Sequence, residues 1–159
     1  MSLRDRIQTE LAAAMRSGDS LRRDVLRMTI AAAYNLEKKQ QKPLSEEDLQ
    51  GVLTREVKTR RESVEAFRKG GREELAAKEE AEIAILHEFL PQALSEDELK
   101  RLVDEAIKAT GAASARDLGK VMGWLSPRTR NRADGKRVSE LVGQALAKTD
   151  LATHDKAGA

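Results

Sequence analysis

The stretch "SEDELKRLVDEAI", Ser95 to Ile107, sets the class of fold. Ser95 followed three residues on by Glu98 has capping-box spacing: the serine oxygen can take the Glu98 N–H while the glutamate returns to the serine N–H. Leu99, Leu102, Val103, Ala106 and Ile107 then recur on one face of a helix. The device repeats downstream. Ser114 and Asp117 precede Leu118, Val121, Met122 and Leu125, and Asp134 precedes Val138, Leu141, Val142, Ala145 and Leu146. Three short helices sharing one core are expected.

Upstream, the helices lengthen. Leu3, Ile7 and Leu11 mark a first helix, which "SGDS" at Ser17–Ser20 breaks with a glycine and capping side chains. A second carries Leu21, Val25, Met28, Ala32 and Leu36, flanked by Leu26, Ile30 and Ala33, and its broad stripe predicts deep burial. Pro43 closes it. Ser45 and Asp48 start a third helix with Leu49, Leu53, Val57, Val64 and Phe67. Its charged text, with Glu56–Arg60 and Arg61–Glu65 four apart, reads as a solvated face that includes Arg55, Lys58, Arg60 and Arg61. Gly70-Gly71 ends that helix, and a short turn makes the fourth an antiparallel neighbour. "LPQAL" around Pro91 is the best linker. The expected organisation is an all-α chain with an N-terminal helical domain at 1–91, a three-helix domain at 92–148 and a disordered tail at 149–159.

The 159 residues carry 29 Lys plus Arg against 27 Asp plus Glu, so only local clustering can support an electrostatic argument. Aromatics are 3%, which leaves few rings for stacking bases and directs any nucleic-acid contact to phosphates. Without cysteine there is no disulfide, thiolate metal site or cysteine nucleophile. No apolar run approaches the ~20 residues of a membrane span, and "MSLRDRIQTELAAAM" mixes charge into every turn, unlike a signal peptide. A cytoplasmic protein with no membrane partner is expected.

Enzymatic constellations are nearly missing. His87 and His154 are the two imidazoles, and "HEFLP" has Pro91 where a zinc helix needs its second histidine. His87, near a helix end, reads as complementing the dipole. Ser126 and Ser139 lack a histidine partner, and Glu79, Glu80, Glu82 and Glu88 lie in charged helix text. No catalytic residue, cofactor or metal site is expected. The chemistry concentrates in "GKVMGWLSPRTRNRADGKRV", Gly119 to Val138, where Lys120, Arg128, Arg130, Arg132, Lys136 and Arg137 meet one acid, Asp134. Pro127 is expected to end the preceding helix and leave "SPRTRNRADGKR" exposed. Asp134 and Gly135 would then open the last helix, presenting N–H groups to an anion beside Lys136 and Arg137.

"LRRDVLRMTIAAAYNLE", the text from Leu53 to Leu99, and "TGAASARDLGKVMGWLSPRTRNRADGKRVSELV" resemble the YqeY family of the GatB/YqeY superfamily. The likeness runs from about Leu3 to Ala147. It implies an all-α protein whose second domain is shared with the tail of the B subunit of the aspartyl/glutamyl-tRNA amidotransferase, where that tail helps hold tRNA. The family's signature falls on Gly119, Lys120, Val121, Met122, Gly123, Ala133, Asp134, Gly135 and Lys136. The resemblance therefore implies a noncatalytic adaptor for tRNA or another RNA, with tRNA amidotransferase or aminoacyl-tRNA synthetase machinery as further partners. Its alternatives are an accessory subunit of glutamine-dependent amidotransfer, a carbon–nitrogen ligase activity, and a helical protein-interaction module.

Overall fold

The computed structural model describes the backbone of residues 1–157 and the side chains of residues 1–152. Helices α1 (Leu3–Ser17), α2 (Ser20–Gln40), α3 (Glu46–Lys69) and α4 (Glu73–His87) belong to one unit, Met1–Pro91. Helices α5 (Glu96–Thr110), α6 (Leu118–Thr129) and α7 (Gly135–Ala157), with a 3-10 turn at Ala115–Asp117, belong to a second that begins at Gln92. The fold is all-α, and no strand occurs among the described residues.

In the first unit the starts and stops follow local chemistry. Ser45 and Asp48 form both halves of their capping box, and α1 ends on Gly18 at φ 76°, a left-handed conformation that costs glycine nothing. Ile7, Val25, Leu26, Leu53 and Leu86 are fully enclosed. Phe89, also buried, closes one end of this core beneath the guanidinium groups of Arg6 and Arg22, at 5.5 and 5.8 Å from its ring centre. Arg22 is held there by Glu10 at 2.9 Å and Glu88 at 2.5 Å.

Two expectations for this unit are corrected. Met28 is 57% exposed; the inward line of α2 runs through Val25, Thr29 and Ala33 instead. A threonine can be buried there because its hydroxyl bonds Val25 O at 3.1 Å and Glu56 Oε2 at 2.6 Å. Arg60, read from the sequence as part of a solvated face, is buried. Its Nε donates to Glu82 Oε2 of α4 at 3.1 Å and its Nη1 to Glu56 O at 3.3 Å. Burial pushes the Glu56 carboxyl up, against the lowering influence of Thr29 and Arg60. Charge spacing along one helix could not disclose a partner 22 residues away.

The second unit encloses Val121, Leu125, Val142 and Leu146, with Val103 and Val138 nearly so. Ser95 and Glu98 exchange both capping bonds, at 3.1 and 3.0 Å. Ser114 and Asp117 form a box around the 3-10 turn, and Asp117 Oδ2 accepts from Ala113 N at 2.8 Å and Ser114 N at 3.3 Å. Helix α6 does not stop at Pro127, which lies inside it. The proline lacks only the donor for the carbonyl four residues back; around it Ser126 Oγ bonds Met122 O at 2.8 Å, Arg128 Nη1 bonds Trp124 O at 2.6 Å, and the ladder resumes with Arg130 N on Ser126 O at 3.0 Å. The tail is also corrected. Helix α7 runs to Ala157, so 149–157 are helical, while 158–159 and the His154 side chain lie outside what is described. Apolar periodicity reports burial rather than helicity, and "KTDLATHDKA" contains neither proline nor glycine to break the ladder.

Arg60→Ala should destabilise the protein by about 3 kcal/mol in urea unfolding, because Glu82 is left half-enclosed without its partner. Replacing both members, Arg60→Met with Glu82→Leu, should recover most of that loss. A second outcome concerns pH. The N–H groups of Ala113 and then Ser114 hold the Asp117 carboxyl below its ordinary range. A depressed carboxyl stabilises the fold fully above its unfolded pKa and loses that contribution as pH falls through the depressed value. Asp117→Asn should therefore lower the melting temperature at neutral pH and narrow its difference from the parent below about pH 4.

Candidate nucleic-acid interface

The six cations expected to act together have different surroundings. Arg128, on the last turn of α6, lies with its guanidinium carbon 3.7 Å from the centre of the Trp124 ring while it also bonds Trp124 O. This indole is the single tryptophan of the chain and packs on the core of the second unit. Arg130 is exposed at the end of α6. Asn131 follows at φ 62°, a left-handed conformation asparagine tolerates, and turns the chain back. Arg132 N and Ala133 N both donate to Thr129 O, at 2.9 and 3.0 Å, so the connection is a tight, bonded turn rather than the long exposed loop expected.

Arg132 is used inside the unit. Its Nε donates to Gln92 O at 3.1 Å, and its carbonyl accepts from Leu94 N at 2.8 Å, which ties the segment before α5 to the turn before α7. Arg137 is similarly engaged. It pairs with Glu96 through Nη2 at 2.5 Å and Nε at 2.8 Å, and with Glu140 at 3.2 Å. Both carboxylates raise its pKa, Glu96 first. Lys120 occupies the first turn of α6, eight residues and about 12 Å along the axis from Arg128. Its charge helps lower the Asp117 carboxyl. The α6–α7 turn thus groups Arg128, Arg130, Arg132, Lys136 and Arg137, and sets Lys120 apart.

Asp134 caps α7. Its Oδ1 accepts from Lys136 N at 3.2 Å, and its carbonyl accepts from Val138 N at 3.0 Å. Of the N–H groups expected to be open at this helix start, that of Lys136 is bound to the internal carboxylate of Asp134. Gly135 begins the helix with open space where a Cβ would stand. Around the turn Arg128, Arg130 and Lys136 are exposed.

The remaining chemistry is sparse. His87 ends α4 with its Nε2 3.3 Å from Arg61 Nη2, where it accepts because a guanidinium can only donate. Burial and then the Arg61 charge push the imidazole pKa down. The neutral ring is favoured there, which corrects its expected part as a cation at a helix end. Among the described residues no cluster of His, Cys, Asp or Glu is arranged to hold a metal, and no helix is long and apolar enough to cross a membrane. Sequence reasoning missed the buried Arg60–Glu82 pair and the stacking of Arg128 on Trp124. The i, i+4 spacing of Trp124 and Arg128 was the available signal for the second.

Similarity to known proteins extends over most of the chain. The mitochondrial protein called altered inheritance of mitochondria protein 41 from Pyrenophora tritici-repentis is 28% identical over 145 residues, 87% of this chain and 80% of that protein. Its namesake from Lachancea thermotolerans is 27% identical over 143 residues, 86% of this chain and 76% of that one. An uncharacterized Schizosaccharomyces pombe protein is 42% identical over 55 residues, 34% of this chain and 45% of the other. These names overturn the expected cytoplasmic location, since the two long matches are to proteins designated mitochondrial. The family described as Yqey-like protein matches residues 4–146, and the chain belongs to it.

Proposed function

We propose that this protein is a noncatalytic RNA-binding adaptor that grips phosphates with the α6–α7 turn. The carrying observation is the exposed cationic group Arg128, Arg130 and Lys136 at a turn whose own acid, Asp134, is occupied in capping α7. Phosphate oxygens suit such a surface because guanidinium and ammonium groups supply donors and charge together, without reading bases. Arg132 and Arg137 support the turn from within: one anchors Gln92 and the other bridges α5 and α7 through Glu96. tRNA is the RNA suggested by the resemblance to the amidotransferase tail. Association with amidotransfer or aminoacylation machinery belongs to the same proposal, with the chemistry itself supplied by the partner.

Trp124 makes the proposal directly measurable. A phosphate drawing Arg128 off the indole should change the emission of the only tryptophan in the chain, in a saturable titration with tRNA or a single-stranded oligonucleotide. Engaging the three exposed cations on single-stranded RNA should give a log–log salt slope of roughly −2. Arg128→Ala, Arg130→Ala or Lys136→Ala should each reduce that slope by about 0.7 and weaken all sequences alike. Arg137→Ala should instead affect stability, because its guanidinium already serves Glu96 and Glu140. Unchanged affinity at low salt after replacing Arg128, Arg130 and Lys136 together would refute the proposal. Asp134→Ala provides a separate reading: loss of the cap should cost ~1 kcal/mol in thermal unfolding.

A further inference from the structure

Three of the most exposed large apolar side chains lie on the first unit: Met15 on α1 at 53%, and Met28 and Tyr34 on α2 at 57% and 58%. Met28, Ala31, Tyr34 and Lys38 follow one another at helical spacing on α2, and all are exposed. On α1, Met15 lies against Arg27 of α2, whose Nη2 is 3.9 Å from its sulfur. The ammonium of Lys38 sits 5.6 Å from the centre of the Tyr34 ring. Two of these apolar side chains thus carry a cation of α2 against them.

Beneath this strip lies the buried polar cluster. Arg60 Nη2 is 3.8 Å from the Met28 sulfur, while its Nε is fixed by Glu82. Thr29, the next residue, is fully enclosed and bonded to Glu56. The polar cluster sets the inward side of α2 at 29 and leaves 28 facing out, so the thioether is displayed by the packing of the core. Around it the charges are mainly positive: Arg27, Lys38 and Lys39 on α2, and Arg16 on α1, all exposed. Asp24 is bound to Arg23 at 2.9 Å, and Glu37 is paired with Arg4.

We infer that the α1–α2 face of the first unit is a docking surface for an acidic amphipathic helix of a partner protein. Two thioethers and a tyrosine supply adaptable apolar contact, the former filling irregular gaps and the latter giving a rigid anchor. The cationic border selects carboxylates on the flanks of the incoming helix and repels basic ones. Apolar positions at i, i+4 and i+7 of the partner would lie along Met28, Ala31 and Tyr34. Nucleic acid is the less suitable occupant: phosphates gain nothing from two methionines and an alanine, and a single ring offers little stacking. This surface is separate from the residues proposed to bind RNA and does not depend on that reading.

The probe is a synthetic helix of about 18 residues with leucine at i, i+4, i+7 and i+11 and glutamate on its flanks, long enough for several turns. Full-length protein carrying methyl-labelled methionine is titrated with it by NMR. The Met15 and Met28 methyl signals should shift saturably while that of Met122, in the second unit, stays in place. Met28→Ser combined with Tyr34→Ser should weaken binding at least ~tenfold without altering the circular dichroism, since neither side chain is in the core. Arg27→Glu should weaken it as well. The inference is overturned if both methyl signals stay still, if a lysine-for-glutamate version of the peptide binds equally well, or if a single-stranded RNA oligonucleotide moves the same methyls with higher affinity.

Discussion

The ion pair between Arg60 and Glu82 is the constraint on which the arrangement of α2, α3 and α4 turns. A guanidinium buried to 6% exposure is costly to desolvate and is kept only where carboxylate and carbonyl acceptors surround it. Glu82 and the Glu56 carbonyl provide them from α4 and α3. Glu56 then reaches Thr29 on α2, so three helices are registered against each other by polar geometry. Leu–Leu contacts tolerate sliding much better than a bonded network does. In a core almost without aromatics, this network supplies specificity that large rings would otherwise give.

The second unit uses charge for the same purpose at its edge. Arg132 holds Gln92 O, Leu94 N returns to Arg132 O, and Arg137 bridges to Glu96. These bonds join residues about 40 apart in sequence and define where the segment before α5 runs. A basic run that looks like one surface in the sequence is therefore divided by the fold. Two of its four arginines, Arg132 and Arg137, stabilise the turn, Arg128 stacks on Trp124, and Arg130 is exposed.

That division explains what was legible beforehand. Capping boxes at Ser45, Ser95 and Ser114 depend on residues three apart, and all are formed as spaced. The stripes Leu99–Ile107 and Val138–Leu146 depend on a helical period, and they line the core of the second unit. Met28 failed because a broad stripe cannot reveal which of two adjacent residues turns inward; the hydroxyl partners of Thr29 settle it. Arg60 failed because its acceptor is on another helix. Pro127 failed because a proline removes only one ladder bond, the one to the carbonyl four residues back, and α6 runs through that loss to Thr129, two residues on. The tail failed because its text carries no apolar period, while its backbone is helical to Ala157.

The same physics separates the two exposed surfaces by chemistry. On α2, the buried polar network turns an apolar side chain outward, and the neighbouring cations border it. At the α6–α7 turn, internal bonds hold Arg132 and Arg137, and Arg128 stacks on Trp124. A partner that gains from burying thioethers will favour the first surface, because apolar area dominates its binding. A polyphosphate gains chiefly from releasing counterions and will favour the second. Raising salt should weaken the second interaction steeply and the first much less. Salt dependence, rather than affinity, is therefore the property that tells which surface a given ligand has occupied.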